Sequence, residues 1–120
     1  MKHILLLTLA AVTLMAADAT GTWVGNLTVL TPGGTEDHPA HLVLKQDGTT
    51  LTGTAGPDAG EQYPISNGKA ENGNVSFEVS ADNSVMKLTL KQDGDGMKGE
   101  MVRQREGETL TAKIAVKRDK

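Results

Sequence analysis

The chain has 120 residues, a formal net charge of −3 at pH 7 and no cysteine. Its 12 lysines and arginines are scattered and only 2% of its residues are aromatic, which argues against the basic stripe and stacking rings of a nucleic-acid groove. The lack of cysteine excludes disulfides, a lipid-modified cysteine and a cysteine nucleophile, so sheet pairing and aliphatic packing must hold the fold.

The N-terminal 19 residues have the pattern of a secretory signal peptide. Lys2 supplies the positive charge, residues 4–15 are almost unbroken apolar sequence, and residues 17–19 read Ala-Asp-Ala, an A-x-A cleavage pattern. This apolar run is shorter than the roughly 20 residues that a membrane-spanning helix needs. We therefore expect a helical signal peptide over 1–19 and one mature domain over 20–120, secreted or periplasmic and free of the membrane after cleavage.

The rest of the chain has the alternation of apolar and polar residues that is typical of antiparallel strands with one buried face. No stretch has the i, i+3, i+4, i+7 apolar spacing of an amphipathic helix. The predicted strands cover residues 21–30, 40–46, 50–55, 62–71, 74–80, 85–92, 97–104 and 109–118. Loops are expected at 31–39 and 56–61. Eight short strands with tight turns predict an all-β, up-and-down antiparallel meander, closed into a small barrel or packed as a sandwich.

An internal repeat supports this architecture. Residues 42–54 return as residues 88–100 with seven identities, and each copy joins two alternating runs through an Asp-Gly hairpin turn. The offset accommodates about four strands per copy, which predicts two similar halves. A glycine follows one inward position after Trp23, Leu51 and Met97, and such glycines permit the sharp coiling of a small closed barrel, so we predict the barrel rather than the sandwich. They also leave volume that a ligand can occupy.

Two short motifs lie on the first and last predicted strands. Residues 21–23 read Gly-Thr-Trp, and Lys117 and Arg118 end the last strand. This pair resembles the calycin group of lipocalins, fatty-acid-binding proteins and avidins, and more closely small lipocalin-like domains of bacterial exported proteins. The resemblance implies a barrel in which Trp23 plugs one end and a basic side chain covers its ring, a cation–π contact. Ala55 stands where avidins have a ligand-contacting tyrosine, so biotin binding is not expected.

Two segments carry groups that could ligate a metal ion. His38 and His41 follow Glu36 and Asp37, but a metal site needs three or four converging ligands, and residues three apart on an extended chain point to opposite faces. We interpret this segment as a surface loop, with adventitious metal binding as the alternative. Residues 93–96 match only two ligand positions of a calcium loop and are interpreted as a hairpin turn. No metal or cofactor is expected.

The sequence also lacks the usual signs of nucleophilic catalysis. There is no G-x-S-x-G elbow, and neither His38 nor His41 has a neighbouring serine. Most acidic residues lie at turns, where aspartate has a structural role, although a carboxylate pair of the glycosidase type is left open. We expect a protein that is not an enzyme.

These observations favour a non-catalytic, lipocalin-like module that binds a small apolar or amphipathic ligand, or a short peptide, in the barrel. Flexible methionines suit such a lining because they adapt to varied shapes. The candidate lining residues are Trp23, Leu44, Leu51, Phe77, Met86, Leu88, Met97 and Met101. The alternative is a protein-interaction module, such as a periplasmic protease inhibitor, that uses its outer face or the loops at 31–39 and 56–61. A hollow interior would favour the first function, and a filled interior with an ordered, protruding loop the second.

Overall fold

A computed structural model describes residues 18–81 and 83–119. The predicted signal peptide, apart from its last two residues, lies outside the described residues. The strands formed by the described residues are β1 (Gly21–Thr31), β2 (Gly34–Asp47), β3 (Thr50–Asp58), β4 (Glu61–Glu71), β5 (Asn74–Ala81), β6 (Ser84–Asp93), β7 (Gly96–Arg105) and β8 (Glu108–Arg118). Each pairs antiparallel with the next, and β8 returns to β1 to close a barrel, as predicted. Across the described ranges no helix is long and apolar enough to cross a membrane.

The alternating pattern explains which side chains fill the barrel. Successive strand residues point to opposite faces, so one apolar set per strand faces the interior and the polar set faces water. The register brings these sets together: Trp23 on β1 pairs with Leu42 on β2, and Phe77 on β5 pairs with Leu88 on β6. The buried apolar residues form one continuous core inside the barrel.

The repeated sequence forms two equivalent hairpins, β2–β3 and β6–β7. Gly48 and Gly94 occupy the same turn position with φ of 67° and 62°, a left-handed conformation that favours glycine. Gly53 and Gly99 occupy the same position in the second strand of each hairpin. A Cβ atom on either would lie 1.9 Å from a carbonyl oxygen of the paired strand. Both glycine pairs therefore lie where the repeat predicts.

The expected loop at 31–39 is wrong. Strand β2 begins at Gly34, and pairing with β1 continues to the Thr31–Gly34 pair, so the turn is confined to residues 32 and 33. Local turn signals suggested a loop because Pro, Gly and acidic residues are frequent in turns. Pairing with a long neighbouring strand overrides these local preferences.

The expected loop at 56–61 is also mostly strand. Strand β3 runs to Asp58 and β4 starts at Glu61, which leaves a turn at residues 59 and 60. One carboxylate oxygen of Asp58 accepts hydrogen bonds from the amides of Gly60 at 2.8 Å and Glu61 at 2.9 Å. This aspartate therefore closes a tight hairpin, as aspartates at turns commonly do.

The meander gives the barrel two different ends. At one end lie the β2–β3, β4–β5 and β6–β7 turns, together with residues 18–20 and the end of β8. We call this the closed end. At the other lie the β1–β2, β3–β4, β5–β6 and β7–β8 turns, and we call it the open end.

Candidate functional site

Trp23 fills the closed end. Its side chain is completely buried, and its indole Nε1 donates a hydrogen bond to the carbonyl oxygen of Ala19 at 3.0 Å. The guanidinium carbon of Arg118 lies 4.3 Å from the ring centroid, within the range of a cation–π contact. Arg118 also lies 3.3 Å from a carboxylate oxygen of Asp95. The predicted plug and its basic cover are confirmed, with Arg118 as the covering residue.

Four other predicted lining residues pack in the same half of the barrel. Leu44, Leu51, Phe77 and Met97 are all at least 97% buried and belong to the continuous core. With Trp23, they fill the interior near the closed end. None of these five side chains lines the cavity at the open end.

The open end contains a cavity of about 190 Å³ with almost entirely apolar walls, which we call the barrel cavity. Every strand contributes to it because the inward positions of all eight converge on the barrel axis. Its walls include Leu27, Leu42, Ala55, Tyr63, Val79, Met86, Leu88, Met101 and Ile114. Ala55 has a small side chain that leaves space inside the barrel. Met101 has a flexible side chain that can adapt to the shape of what it contacts.

Three of the eight candidate residues, Met86, Leu88 and Met101, line the barrel cavity. The candidate list omitted Leu27, although alternation along β1 places it on the same face as Trp23. The missing information was the three-dimensional position of each inward residue. Register alone does not separate the filled half from the hollow half, because Leu42, which lines the barrel cavity, pairs directly with Trp23.

A second cavity of about 400 Å³ adjoins the barrel cavity at the open end, and we call it the rim cavity. The two share Leu27, His38, Met86 and Met101, while Arg103 lines only the rim cavity. The apolar interior therefore continues into a partly polar entrance.

Arg103 is the cation of this entrance. It follows the buried Met101 by two positions on β7, and it pairs with Met86 on β6 and Leu110 on β8. Its side chain is half-buried, and within the described ranges no carboxylate lies at ion-pair distance from it. Glu36 lines the same rim cavity, but its carboxylate lies beyond ion-pair distance of Arg103 and beside His38. The guanidinium can therefore receive the anionic group of a ligand at the rim.

The two histidines diverge. The imidazole Nε2 of His38 lies 3.5 Å from a carboxylate oxygen of Glu36, and both side chains are more than half exposed at the rim. His41 lies between the buried residues Ala40 and Leu42 and so points to the outer face. Among the described residues, no group of three His, Cys, Asp or Glu side chains is arranged to hold a metal ion.

The β3–β4 hairpin beside the entrance is fixed by Gln62. Its amide nitrogen donates to the carbonyl oxygens of His41 at 3.0 Å and Asp58 at 2.8 Å, and its amide oxygen accepts from the Thr54 hydroxyl at 2.6 Å. The neighbouring Tyr63 hydroxyl donates to a Glu61 carboxylate oxygen at 2.8 Å. These bonds restrict the β3–β4 hairpin, which lowers the conformational entropy that the protein would lose when a ligand binds at the entrance.

Comparison of the chain with protein-family models, curated proteins and solved structures finds no match. The architecture itself, a closed antiparallel barrel of eight strands in meander order, fits a calycin-like fold in general terms. A small barrel with one apolar, accessible end has a shape suited to binding a ligand.

Proposed function

We propose that this protein is a non-catalytic, lipocalin-like binding module that takes a small amphipathic molecule into the open end of its barrel. The observation that carries the proposal is the barrel cavity: one end of the interior is filled by Trp23 and its neighbours, while the other is hollow, apolar and reachable from outside. The apolar part of the ligand occupies this cavity, and its polar group lies at the rim.

The size and chemistry of the barrel cavity define the apolar part of the ligand. At about 190 Å³, the cavity exceeds the roughly 150 Å³ space that accepts benzene in an engineered protein core. A buried water needs two to four polar partners, and aliphatic walls do not supply them. Transfer of a short hydrocarbon group into this space is favourable by about 25 cal/mol per Å² of apolar surface removed from water.

The polar part of the ligand is set by Arg103. Its guanidinium lies at the entrance without an anionic partner among the described residues, so a carboxylate, sulfate or phosphate monoester at the rim would form charge-assisted hydrogen bonds. Because the side chain is only half-buried, solvent screening limits this contribution. The apolar cavity therefore provides most of the affinity, and Arg103 selects the anionic member of a pair of ligands with the same tail.

The absence of a catalytic role is part of the same proposal. The walls of the barrel cavity are aliphatic except for His38 at its edge and the ring of Tyr63. General acid–base chemistry needs titratable groups within hydrogen-bond reach of a reacting atom. Here the Tyr63 hydroxyl is hydrogen-bonded to Glu61 and His38 is more than half exposed at the rim, which supports a binding role.

Native mass spectrometry of the protein purified from its own host tests the proposal directly. We expect a retained small molecule that is lost when the protein is denatured. Titration calorimetry of the ligand-free protein with hexanoate, octanoate, decanoate and octanol provides the complementary measurement. We expect affinity to rise with tail length until the cavity is full, and octanoate to bind more tightly than octanol. No retained molecule and no heat with any of the four compounds would overturn the proposal.

Two pairs of variants localise the binding. Ala55→Leu places three further carbon atoms in the barrel cavity and is expected to reduce octanoate affinity at least tenfold, whereas Ala115→Leu makes the same change on the exposed outer face and leaves affinity unchanged. Arg103→Gln is expected to reduce octanoate affinity about three- to tenfold and to leave octanol affinity unchanged. Arg105→Gln, farther out on the same strand, is its matched control.

The alternative function is a protein-interaction module such as a periplasmic protease inhibitor. The observation in its favour is that β2 pairs with β3 only from His41 onward, so residues 34–40 have no strand neighbour on that side within the described part of the chain. Free strand edges can pair with another chain, but this one carries Glu36, Asp37 and Pro39, which discourage such pairing. The hollow interior therefore makes ligand binding the better-supported function.

We also propose that the protein acts outside the cytoplasm, either secreted or in the periplasm. The support is the charged, apolar and small-residue order of the N-terminal sequence. Fractionation of the host, followed by detection of the protein in the medium, periplasm or cytoplasm, tests this localisation.

A further inference from the structure

The outer wall of the barrel carries a cavity of about 600 Å³ near the closed end, which we call the lysine groove. It lies across β6, β7, β8 and β1. Its charged lining residues are Lys91, Lys98, Lys117 and Asp93, and Asn26 adds an amide. The whole chain has a formal net charge of −3, so three lysines in one groove run against the overall charge. The groove therefore attracts anions that the rest of the surface repels.

The strand register places the three lysines close together. Lys91 on β6 and Lys98 on β7 are direct cross-strand partners, and both are exposed. Directly opposed side chains have Cβ atoms about 4.5–5.5 Å apart, and like charges in this arrangement are destabilising. Lys117 on β8 pairs with Gly96, two positions before Lys98, and is therefore a diagonal neighbour of Lys98. Within the described ranges no carboxylate, that of Asp93 included, lies at ion-pair distance from any of the three lysines.

The two copies of the repeat differ at this groove. Lys98 stands where the first copy has Thr52, and Gly96 stands where it has Thr50. The first difference creates the like-charge pair, because in the first copy Lys45 is opposite Thr52. The second leaves the groove floor without a side chain at that position. The second copy therefore has both an additional cation and additional space at one site, at a cost in charge repulsion.

We propose that the lysine groove binds a small, water-soluble molecule that carries a diphosphate or two neighbouring phosphate groups. Lysine binds phosphate as a compact point charge. Each phosphate group carries a charge of about −1.5 to −2 at pH 7, so three lysines suit two linked phosphates better than a single carboxylate. Such an anion offsets the repulsion between Lys91 and Lys98, and the floor at Gly96 and Val24 leaves space for the uncharged part of the molecule. This site is separate from the barrel cavity, and the proposal is independent of the proposed function.

The surroundings of the lysine groove favour a small molecule over a macromolecule. An added peptide strand needs a free sheet edge, whereas the four strands of the groove are paired on both sides. Membrane docking needs apolar side chains that enter the lipid, but the large exposed apolar residues of the described chain, Leu30, Val43 and Val85, lie outside the groove. Single-stranded nucleic acids stack their bases on aromatic rings, and the lining residues of the groove include none.

Titration calorimetry with inorganic pyrophosphate at low ionic strength tests the proposal. We expect saturable, one-to-one binding that weakens as salt is added, because salt screens exposed charges. Lys98→Thr and Gly96→Thr introduce the residues of the first copy, and each is expected to reduce pyrophosphate affinity about three- to tenfold. Lys91→Gln is expected to have the same effect. Its matched control, Lys45→Gln, removes the equivalent lysine of the first copy and is expected to leave the affinity unchanged.

Thermal midpoints show whether these variants fold and bind as expected. A Cβ atom at Gly96 would lie 3.6 Å from the Val116 carbonyl oxygen, an ordinary contact distance, so Gly96→Thr should fold. Lys98→Thr removes the like-charge pair and is expected to keep or raise the thermal midpoint. Pyrophosphate stabilises the folded chain by mass action and should raise the midpoint of the parent more than that of Lys98→Thr.

Amide chemical shifts from two-dimensional NMR locate the bound pyrophosphate. We expect the largest changes at the residues of the lysine groove. Changes confined to the open end of the barrel would overturn the proposal, and so would an equal loss of affinity in Lys45→Gln and Lys91→Gln. The absence of saturable pyrophosphate binding, whether or not vesicles of phosphatidylglycerol bind, would also overturn it. Citrate binding as tight as that of pyrophosphate would refute the assignment to phosphate.

Discussion

Replacement of Trp23 by alanine should largely unfold the protein. The ring is completely buried, receives Arg118 over one face and satisfies the Ala19 carbonyl oxygen. Large-to-small replacement of a core aromatic residue costs about 3–5 kcal/mol, and loss of the cation–π contact adds about 0.5–2 kcal/mol. A domain of this size has a total stability of roughly 5–15 kcal/mol, so the variant loses much of it. At about 4–8 °C per kcal/mol, its thermal midpoint falls by tens of degrees.

Urea denaturation followed by far-UV circular dichroism is the suitable assay, because Trp23 is the single tryptophan and the variant has no indole fluorescence. Trp23→Phe retains an aromatic ring but removes the indole N–H, so we expect it to lose less than half of what the alanine variant loses. Arg118→Gln removes the cation while leaving the core intact and should cost about 1–2 kcal/mol. A Trp23→Ala protein within 1 kcal/mol of the parent would refute the plug.

Three further predictions concern turns, histidines and acid stability. Gly94→Val should lower the thermal midpoint by several degrees because φ is 62° there. Gly99→Ala should lower it as well, because the new Cβ would lie 1.9 Å from a carbonyl oxygen of the paired strand. Unchanged thermal midpoints would contradict the shared hairpin geometry. His38→Ala and His41→Ala should each leave the urea midpoint unchanged, since both side chains lie at the surface, and a loss above 1 kcal/mol would reveal an unrecognised structural role. Hydrogen bonds from Thr20 lower the pKa of Asp18 below 3.8, so the ionised carboxylate stabilises the fold above that pH, and this contribution is lost as the pH falls through the lowered value. The difference in unfolding free energy between the parent and Asp18→Asn should therefore shrink between neutral pH and about pH 2. A difference that stays constant over this range would contradict the assignment.

The strand order and the inward face of each strand could be predicted from the sequence, because both depend on local patterns. Alternation along residues 109–118 places Leu110, Ala112, Ile114 and Val116 on one face, and the barrel buries or half-buries all four. The Asp-Gly turns were equally local, since left-handed φ values favour glycine whatever surrounds them.

The start of β2 and the hollow half of the barrel could not be predicted in this way. Residues 34–39 have the composition of a loop, but pairing with β1, eleven residues long, extends the strand through them. Whether an inward residue lines a cavity depends on the summed volume of side chains at one level of the barrel. Ala55 and Val79 line the cavity at the open end, whereas the larger Phe77 and Leu44 fill the interior near the closed end. Only the three-dimensional arrangement of the strands reveals this difference.

The asymmetry of the barrel comes from Trp23. The repeat does not relate the two ends to each other, because both of its hairpin turns lie at the closed end, and Trp23 belongs to β1, outside the repeated residues. Its burial concentrates packing, hydrogen bonds and the cation–π contact at the closed end. The open end can therefore leave about 190 Å³ unfilled without loss of the fold. A ligand that enters this space binds only the folded chain, so it shifts the folding equilibrium toward the closed barrel by mass action.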